Sequence, residues 1–344
     1  MISQITLKNF RSYKSSKFDF SSKTNIILGK NGAGKTNILE AILFLASGKS
    51  YRASDVDLIK YKENTSILEA EFDDKKRSVR FDTNKDKLFN INNTKYKRMQ
   101  FDKTIPIVLF EPEFMQIISR GPDLRREYFD SLLSRINPQH TTIINKYKRS
   151  LAQRNNLLKK RDFSNDEMFV WNIKLSELGG IIAVNRSNLI DEINKNISDV
   201  YSELASKKHK IYISYKSKID IKNYTNSLLK GLEKNISIDT EQGFTTLGPH
   251  RDDFEFIINN QNANVSASRG ESRTILLAMK IVETKLIKNA REKSPILLLD
   301  DVFSELDEDR QGKLVEFFYD NQVIITTTTI TPLMKGVSGN IIKI

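Results

Sequence analysis

A glycine-rich segment near the start of the chain has the residue types and spacing of a phosphate-binding loop. Gly29–Thr36 fits the pattern GxxxxGK[ST], follows the apolar run Ile26–Leu28 and precedes an apolar helix, which is the context that the pattern requires. The backbone N–H groups of such a loop surround phosphates at a helix N-terminus, where Lys35 reaches the β- and γ-phosphates and Thr36 binds Mg²⁺. The predicted nucleotide contacts in this segment are Gly29, Lys30, Asn31, Gly32, Ala33, Gly34, Lys35, Thr36 and Asn37.

A second apolar run ends in two carboxylates, which together with the phosphate-binding loop form a predicted site for nucleotide hydrolysis. The run Ile296–Leu299 leads directly into Asp300 and Asp301, which is the form of a Walker B strand. We expect this strand to lie beside the strand that precedes the loop, so that Asp300 joins Thr36 at Mg²⁺, mainly through metal-bound water. Asp301 is then the candidate that orients or deprotonates the attacking water. The alternative is that the aspartates merely cap a following helix, since a strand that ends in a helix N-cap has the same pattern. The presence of the phosphate-binding loop favours the Mg²⁺ and water site.

Kinases and GTPases also have a phosphate-binding loop and a Walker B strand. Two further segments distinguish this chain from those enzymes. Ser268, Gly270 and Glu271 stand where a helix is predicted to begin, and Ser304–Asp307 closely follows the aspartates. These segments resemble the signature loop and the D-loop of ABC-type ATPases. The resemblance implies that the signature residues contact the γ-phosphate bound by a second copy, at a helix N-terminus that favours anions. Thr327 takes the place of the switch histidine, although threonine is also simply a good strand residue. The predicted catalytic residues are Lys35, Asp300, Asp301 and Thr327.

Several blocks of sequence resemble the RecF family, whose members are related to the heads of SMC proteins. The blocks are Leu7–Tyr13, Gly48–Arg52, Asp55–Ile59, Phe110–Phe114, Gly121–Arg126, Phe129–Asp130, Thr246–Phe254 and Leu298–Asp307. The resemblance covers most of the chain outside the helical middle and is weak over residues 140–240. It also departs in the signature, where Glu271 and Ser272 replace the two glutamines usual in the family. Glu271 restores the acid found in SMC-like and transporter heads.

The resemblance implies an α/β fold, an ABC-type P-loop ATPase head of the SMC/RecF type with an inserted α-helical arm domain. The head is predicted at residues 1–115 and 245–344, and the arm at residues 116–244. The implied cofactors are ATP and Mg²⁺. The implied partners are a second copy of the chain in an ATP-dependent homodimer, duplex and gapped DNA, and the mediators RecR and RecO. The implied task is to help load recombinase at gaps, with a slow, DNA-stimulated ATPase acting as a switch.

Other ATPase classes account for the sequence less well. The ATPase subunit of an ABC transporter has its signature much closer to the phosphate-binding loop and carries a Leu-Ser-Gly-Gly string, which this chain lacks. A short SMC-like structural ATPase is a further alternative, but a chromosome organiser needs a far longer coiled coil. An ATPase-linked nuclease needs an extra metal-binding domain. The composite-site motifs disfavour a phosphotransferase.

An excess of basic residues favours a polyanionic partner. The 55 Lys and Arg residues exceed the 43 Asp and Glu residues, which gives a net charge of +12. A Lys-rich composition from an AT-rich genome, or simply a solvated face, would give the same excess. Two clusters predict sequence-independent phosphate contacts whose affinity falls steeply with salt. They consist of Lys146, Lys148, Arg149, Arg154, Lys159, Lys160 and Arg161, and of Lys207, Lys208, Lys210, Lys216, Lys218 and Lys222.

Five other positions carry weaker predictions. His250 and Arg251 form either a metal or acid–base site or a hydrogen-bonded structural turn, and the turn is favoured. Arg11 and Arg52 are candidates to lie over the nucleotide, with ordinary surface arginines as the alternative. Glu113 is a candidate to sense the metal or water as Q-loop residues do.

The elements that must position these residues follow from periodicity. Residues 1–115 and those from about 211 onward form two α/β blocks, which must pair with each other if they share one parallel sheet. Between them, helices are predicted over 140–161 and 167–204, joined by the polar segment 162–166. Gly179 and Gly180 are expected to kink the second helix. The two helices predict an antiparallel arm or, equally, ordinary core helices.

Composition excludes several other kinds of site. Cysteine is absent, which excludes disulfides, a cysteine nucleophile and an iron–sulfur cluster, and the three histidines are widely spaced. No apolar run is long enough for a membrane helix, and no cleavable leader is recognisable. We therefore expect a cytoplasmic protein with no membrane partner.

Overall fold

The computed structural model describes residues 1–73, 75–111, 114, 116–331 and 339–344, apart from the side chains of Ser304 and Glu305. Glu113, the candidate Q-loop residue, lies outside the described residues. The chain divides into two compact units, which are unit 1 (Met1–Phe114 and Thr284–Ile344) and unit 2 (Met115–Glu283). None of the helices in the described ranges combines the length and the apolar character that a bilayer span requires.

The strands are β1 (Ile2–Phe10), β2 (Tyr13–Asp19), β3 (Thr24–Leu28), β4 (Thr65–Phe72), β5 (Lys75–Asp82), β6 (Lys87–Ile91), β7 (Thr94–Tyr96), β8 (Ile107–Phe110), β9 (Ile211–Lys216), β10 (Asp253–Ile258), β11 (Gln261–Asn262), β12 (Ile296–Asp300), β13 (Val323–Thr327) and β14 (Gly339–Lys343). The α-helices are α1 (Lys35–Ser47), α2 (Pro122–Ile136), α3 (Pro138–Lys160), α4 (Asn165–Asn194), α5 (Ile197–Ala205), α6 (Tyr224–Lys234), α7 (Ile236–Gln242), α8 (Ala263–Ser266), α9 (Arg269–Arg291) and α10 (Glu308–Phe317).

A five-stranded parallel sheet carries the site of unit 1. Its order is β14-β3-β13-β12-β8, so strands from both ends of the chain share one sheet, as the sequence requires. All five residues of β12 and of β13 are buried, which is the pattern of parallel strands covered on both faces. The expectation that β12 lies beside β3 is wrong. β13 lies between them, because it pairs with β3 on one side and with β12 on the other.

A six-stranded antiparallel sheet, in the order β2-β1-β4-β5-β6-β7, forms the second layer of unit 1. Helix α1 contacts both sheets and buries nine of its thirteen residues, including Ile38, Ile42 and Phe44. The ring of Phe44 packs against that of Phe81 at a centroid distance of 5.2 Å. The helix that follows the phosphate-binding loop is therefore a core element, which fixes the position of the loop.

Unit 2 contains helices α2–α8 and the sheet β11-β10-β9. Helices α3 and α4 pack against each other and are joined by residues 161–164, as predicted. The predicted helix over 167–204 is instead two helices, because α4 runs through Gly179 and Gly180, ends at Asn194 and is followed by α5. The kink at the two glycines stays a prediction. A Cβ on Gly180 would lie 2.0 Å from Thr225 Oγ1, so the glycine allows α6 to approach closely.

The packing of residues 245–283 differs from the predicted division into head and arm. These residues belong to unit 2, because β10 pairs with β9 and also contacts α2. Helix α9 carries the chain from unit 2 into unit 1. The division into a head at 1–115 and 245–344 and an arm at 116–244 stays a prediction about the family architecture.

Candidate nucleotide site

The phosphate-binding loop joins β3 to α1, and the Lys35 side chain at its end folds back to contact its first residues. Gly32 and Gly34 have φ values of 81° and 102°, which only glycine adopts without strain. The Gly29 N–H donates to the Thr327 carbonyl at 3.2 Å, which joins the loop to β13. The Lys35 ammonium is buried and donates to the carbonyls of Gly29 at 3.0 Å and Lys30 at 3.3 Å. The cation predicted to meet phosphates therefore lies inside the loop.

Asp300 lies against the hydroxyl predicted to share its metal ion. Thr36 Oγ1 donates to Asp300 Oδ1 at 2.9 Å, and Thr326 Oγ1 donates to the same oxygen at 2.8 Å. The Asp300 side chain thus lies across β13 from the loop, and β13 itself provides one of its contacts. Hydroxyl and carboxylate oxygens are the hard ligands that Mg²⁺ prefers, usually with few protein ligands and with phosphate oxygens completing the set. The donor atoms present therefore fit Mg²⁺.

Asp301 has the electrostatic environment of a proton acceptor. It is partly exposed, and its Oδ2 lies 4.0 Å from Lys35 Nζ. Partial burial, and to a lesser degree the neighbouring negative charge of Asp300, raise the pKa of Asp301, although Lys35 opposes this shift. Its φ of 50° places it in the left-handed region at the start of a short 3₁₀ turn. A carboxylate with a raised pKa beside a triphosphate site suits general-base chemistry.

The structure separates two adjacent threonines at the end of β13. Thr326 holds Asp300 and also accepts the Asp301 backbone N–H at 2.9 Å. Thr327 Oγ1 instead donates to the Thr329 carbonyl at 2.7 Å, and this side chain is buried. The catalytic role of Thr327 stays a prediction. Thr326 is a contact that sequence reasoning missed, because both residues suit a strand equally well.

The turn between β1 and β2 supports the loop from outside. The Tyr13 hydroxyl donates to the Gly34 carbonyl at 3.2 Å, and Asn37 Nδ2 donates to Ser12 Oγ at 3.0 Å. Arg11 forms a two-pronged ion pair with Glu40, at 2.8 and 2.9 Å. Because Glu40 is fully buried, this pair fixes the turn onto α1 and occupies the guanidinium that was considered for nucleotide contact.

Tyr51 is a second residue that sequence reasoning missed. Its hydroxyl is buried and makes no hydrogen bond within the part of the chain that the structure describes. Burial, followed by the negative charges of Asp300 and Glu111, raises the pKa of Tyr51 well above its ordinary value. Arg52, the other arginine considered for nucleotide contact, lies 6.0 Å from the Tyr51 ring centroid. Tyr51 therefore offers an unused hydroxyl close to the Walker B aspartate.

The signature residues Ser268, Gly270 and Glu271 lie in unit 2 at the beginning of α9. The Ser268 N–H donates to Glu271 Oε2 at 2.8 Å, and the Glu271 N–H donates to Ser268 Oγ at 3.2 Å. This reciprocal pair is a capping box. The Ser268 side chain accepts the Glu271 N–H inside the box and also contributes a hydrogen bond to the Glu271 carboxylate.

His250 occupies a hydrogen-bonded turn, the reading that the sequence favoured. Its Nδ1 lies 2.8 Å from the Tyr147 hydroxyl, and its Nε2 lies 3.0 Å from the Thr245 carbonyl. Both ring nitrogens are therefore occupied in a neutral imidazole, and burial lowers the pKa of His250 to about 4. Arg251 lies with its guanidinium 4.8 Å from the Phe244 ring centroid. Within the described ranges, no group of three or more His, Asp or Glu residues is arranged to hold a metal ion.

One residue of the first basic cluster is buried in the interior of unit 2. Arg154 is fully buried, donating to Asn172 Oδ1, Asp239 Oδ2 and Thr245 Oγ1 at 2.7 to 2.8 Å. Its prediction as a DNA contact is wrong, because a guanidinium held by a buried carboxylate cannot reach a phosphate. The remaining six cations of that cluster are exposed.

Comparison with known proteins agrees with this geometry. Residues 1–342 match the family described as the RecF/RecN/SMC N terminal domain. DNA replication and repair protein RecF of Clostridium botulinum (strain Alaska E43 / Type E3) is 37% identical over 339 residues, which cover 96% of this chain and 94% of the relative. The RecF protein of Streptococcus gordonii (strain Challis) is also 37% identical, with the same shares covered.

Solved structures give the same result. One described as the recombination mediator protein RecF with ATPrS in the RecFOR pathway has a TM-score of 0.89 at 31% identity, covering all of this chain and 96% of that one. An Smc head bound to the C-winged helix domain of ScpA has a TM-score of 0.55 at 16% identity, covering 97% and 91%, and supports the fold alone. The matched family and the two RecF relatives, together with the solved RecF structure, show that the chain belongs to the RecF family of ABC-type, SMC-like proteins.

Proposed function

We propose that this RecF-type DNA repair protein is an ATP-controlled clamp in which two copies close over two ATP molecules and hold duplex DNA near single-strand gaps. The observation that carries the proposal is the arrangement of Thr36, Asp300, Asp301 and Lys35 around one phosphate-binding loop. The solved structures described as RecF with ATPrS and as RecF with ATP support ATP as the nucleotide.

The loop residues have distinct tasks in this proposal. Lys35 exchanges its two loop carbonyls for the β- and γ-phosphates, and the loop N–H groups bind the remaining phosphate oxygens. Thr36 and Asp300 would hold Mg²⁺, which neutralises charge on the phosphates when it is bound. Asp301 accepts the proton of the attacking water, which its raised pKa favours. An aspartate reaches less far than a glutamate, in keeping with slow turnover.

Each active site is shared between two copies. In this proposal the partner's Ser268 turns its hydroxyl from Glu271 to the γ-phosphate held by the loop of the first protomer, at the N-terminus of the partner's α9. Hydrolysis removes the phosphate that joins the two copies, and the clamp opens. ATP binding thereby controls assembly, and the slow ATPase sets the lifetime of the assembled state.

DNA is held through its phosphates. The exposed lysines and arginines of residues 146–161 and the lysines of residues 207–222 provide sequence-independent contacts. We propose that the chain acts in the cytoplasm with RecR- and RecO-like mediators to load recombinase. The proposed head comprises residues 1–115 and 245–344, and the proposed arm residues 116–244.

Sedimentation with and without Mg²⁺-ATP, repeated with gapped duplex, tests the proposal. We expect the wild-type chain to dimerise with ATP. Lys35→Ala should lose both ATP binding and dimerisation, whereas Ser268→Arg should bind ATP and remain monomeric. Tight ATP-dependent dimers of Ser268→Arg would reject the composite site, and a wild-type chain that stays monomeric at saturating ATP would reject the clamp.

A further inference from the structure

His209, between Lys208 and Lys210 in the sequence, lies near the signature residue Glu271. It follows α5 in the connection to β9, and its Nε2 is 3.9 Å from Glu271 Oε1. That distance is too long for a direct hydrogen bond but suits an electrostatic contact or a bridging water. The other oxygen of the same carboxylate, Oε2, accepts the Ser268 N–H. The Glu271 carboxylate is therefore held between the signature serine and the imidazole.

The surroundings of His209 fix which ring nitrogen faces Glu271. Asn259 Oδ1 accepts the Lys210 N–H at 3.1 Å, so the amide nitrogen of Asn259 is the atom that lies 2.7 Å from His209 Nδ1. A ring nitrogen that accepts a hydrogen bond carries no proton, so the proton of the neutral imidazole is on Nε2. The Tyr201 ring packs edge-on at a centroid distance of 5.9 Å. The N–H of a preoriented ring thus points toward the Glu271 carboxylate.

The backbone around His209 is also anchored. Ser198 Oγ donates to the His209 carbonyl at 3.0 Å and accepts the Ile211 N–H at 3.2 Å. The backbone at residues 209–211 is consequently attached to α5, while the imidazole itself is held by Asn259 and packs against Tyr201. A ring held in this way can restrain the orientation of a partly exposed carboxylate.

Glu271 needs such a restraint because of its charge. Its pKa is lowered chiefly by the hydrogen bonds from Ser268, with smaller contributions from His209 and Lys207, so it is an anion at neutral pH. A carboxylate that left Ser268 would carry its negative charge freely beside an approaching triphosphate and repel it. The neutral glutamine usual in the family poses no such problem.

We propose that His209 is a positioning residue for the signature loop, holding Glu271 on the Ser268 N–H so that the Ser268 hydroxyl is presented to the triphosphate of the other copy. This inference rests on the composite site proposed above. It assigns no catalytic step to His209, and it predicts that the effect of His209 depends entirely on the carboxylate at position 271.

Four single variants and one double variant test this dependence by ATP-dependent dimerisation, measured by sedimentation, and by ATP binding to the monomer. His209→Ala should weaken dimerisation about threefold to tenfold, the range expected for one lost polar contact, and leave monomer binding of ATP unchanged. His209→Gln should restore dimerisation, because its amide nitrogen takes the place of Nε2. Glu203→Ala, which truncates an exposed side chain of α5 just before the same connection, is the matched control.

The decisive comparison adds Glu271→Gln. In that background, His209→Ala should cause no further weakening, since no carboxylate remains to be positioned. The same threefold to tenfold loss in both backgrounds, or a loss that Glu203→Ala reproduces, would overturn the inference and leave the clamp intact. A wild-type chain that does not dimerise with ATP would instead reject the clamp, and the role of His209 with it.

Discussion

Replacing Thr326 by valine tests whether the Walker B aspartate depends on its neighbour in β13. The substitution keeps the shape of a fully buried side chain and removes one hydroxyl. Its hydrogen bonds to the two aspartates disappear, namely the one that Thr326 donates to Asp300 Oδ1 at 2.8 Å and the one that it accepts from the Asp301 N–H at 2.9 Å, together with a longer contact with the Leu299 carbonyl at 3.4 Å. Asp300 keeps only its contact with Thr36 among these hydroxyls.

The magnitude follows from the kind of bond that is lost. A hydrogen bond to a charged group contributes about 1.5–3 kcal/mol. Expressed fully in the hydrolysis of Mg²⁺-ATP, this loss corresponds to a rate reduction of roughly 10- to 150-fold. The Asp301 N–H, left without its acceptor, adds a cost in folding stability of about 1–3 kcal/mol.

The adjacent Thr327→Val is the matched control, because it makes the same chemical change in the same strand. It removes a bond to the Thr329 carbonyl and none to an aspartate. Single-turnover ATP hydrolysis should therefore show the larger loss of turnover in Thr326→Val. Urea unfolding of both variants measures the accompanying loss of stability. Equal losses, or a larger loss in Thr327→Val, would refute this reasoning and support the catalytic role predicted for Thr327.

Three other outcomes are expected. Arg154→Leu should lower the free energy of unfolding by about 3–5 kcal/mol, because it leaves Asp239 buried without its cation, and should not change the salt dependence of DNA binding in the folded fraction. Reversing the charges of Lys159–Arg161 should weaken DNA binding and flatten its salt slope with little effect on unfolding, and an unchanged slope would remove this face from the interface. Because the pKa of His250 is lowered to about 4, the unfolded chain binds a proton between pH 6.5 and 4 that the folded chain does not. As the pH is lowered across that window, the free energy of unfolding should therefore decrease by up to about 3 kcal/mol. The difference in unfolding free energy between the wild type and His250→Gln should shrink accordingly.

Local signals in the sequence were sufficient for the elements around the phosphates. The glycines of Gly29–Thr36 and the apolar run before them predict a strand, a loop and a helix, and the structure has β3, the loop and α1 there. Strand order was beyond such signals. It depends on contacts between segments hundreds of residues apart, and the apolar compositions of β12 and β13 are too similar to decide which one lies next to β3.

The contact between Thr326 and Asp300 was missed for a related reason. Adjacent residues in a strand point to opposite faces, so only the register between β12 and β13 determines which threonine accompanies Asp300. The structure pairs Asp300 with Thr326. The capping box at Ser268 and Glu271, by contrast, was readable, since serine followed three residues later by glutamate at the start of a helix is its ordinary pattern.

Arg154 shows that a run of charges must be judged by helix face and not by segment. The other buried side chains of α3 include Tyr147, Ser150 and Leu158, so position 154 falls on the same inward stripe at spacings of three and four residues. A cation on that stripe needs a buried anion, and α7 supplies it with Asp239. Lys146, Lys148, Arg149, Lys159, Lys160 and Arg161 are the exposed cations of this region. A salt slope from DNA binding by this face should therefore reflect at most six cations and not seven, since each phosphate contact contributes separately to the slope.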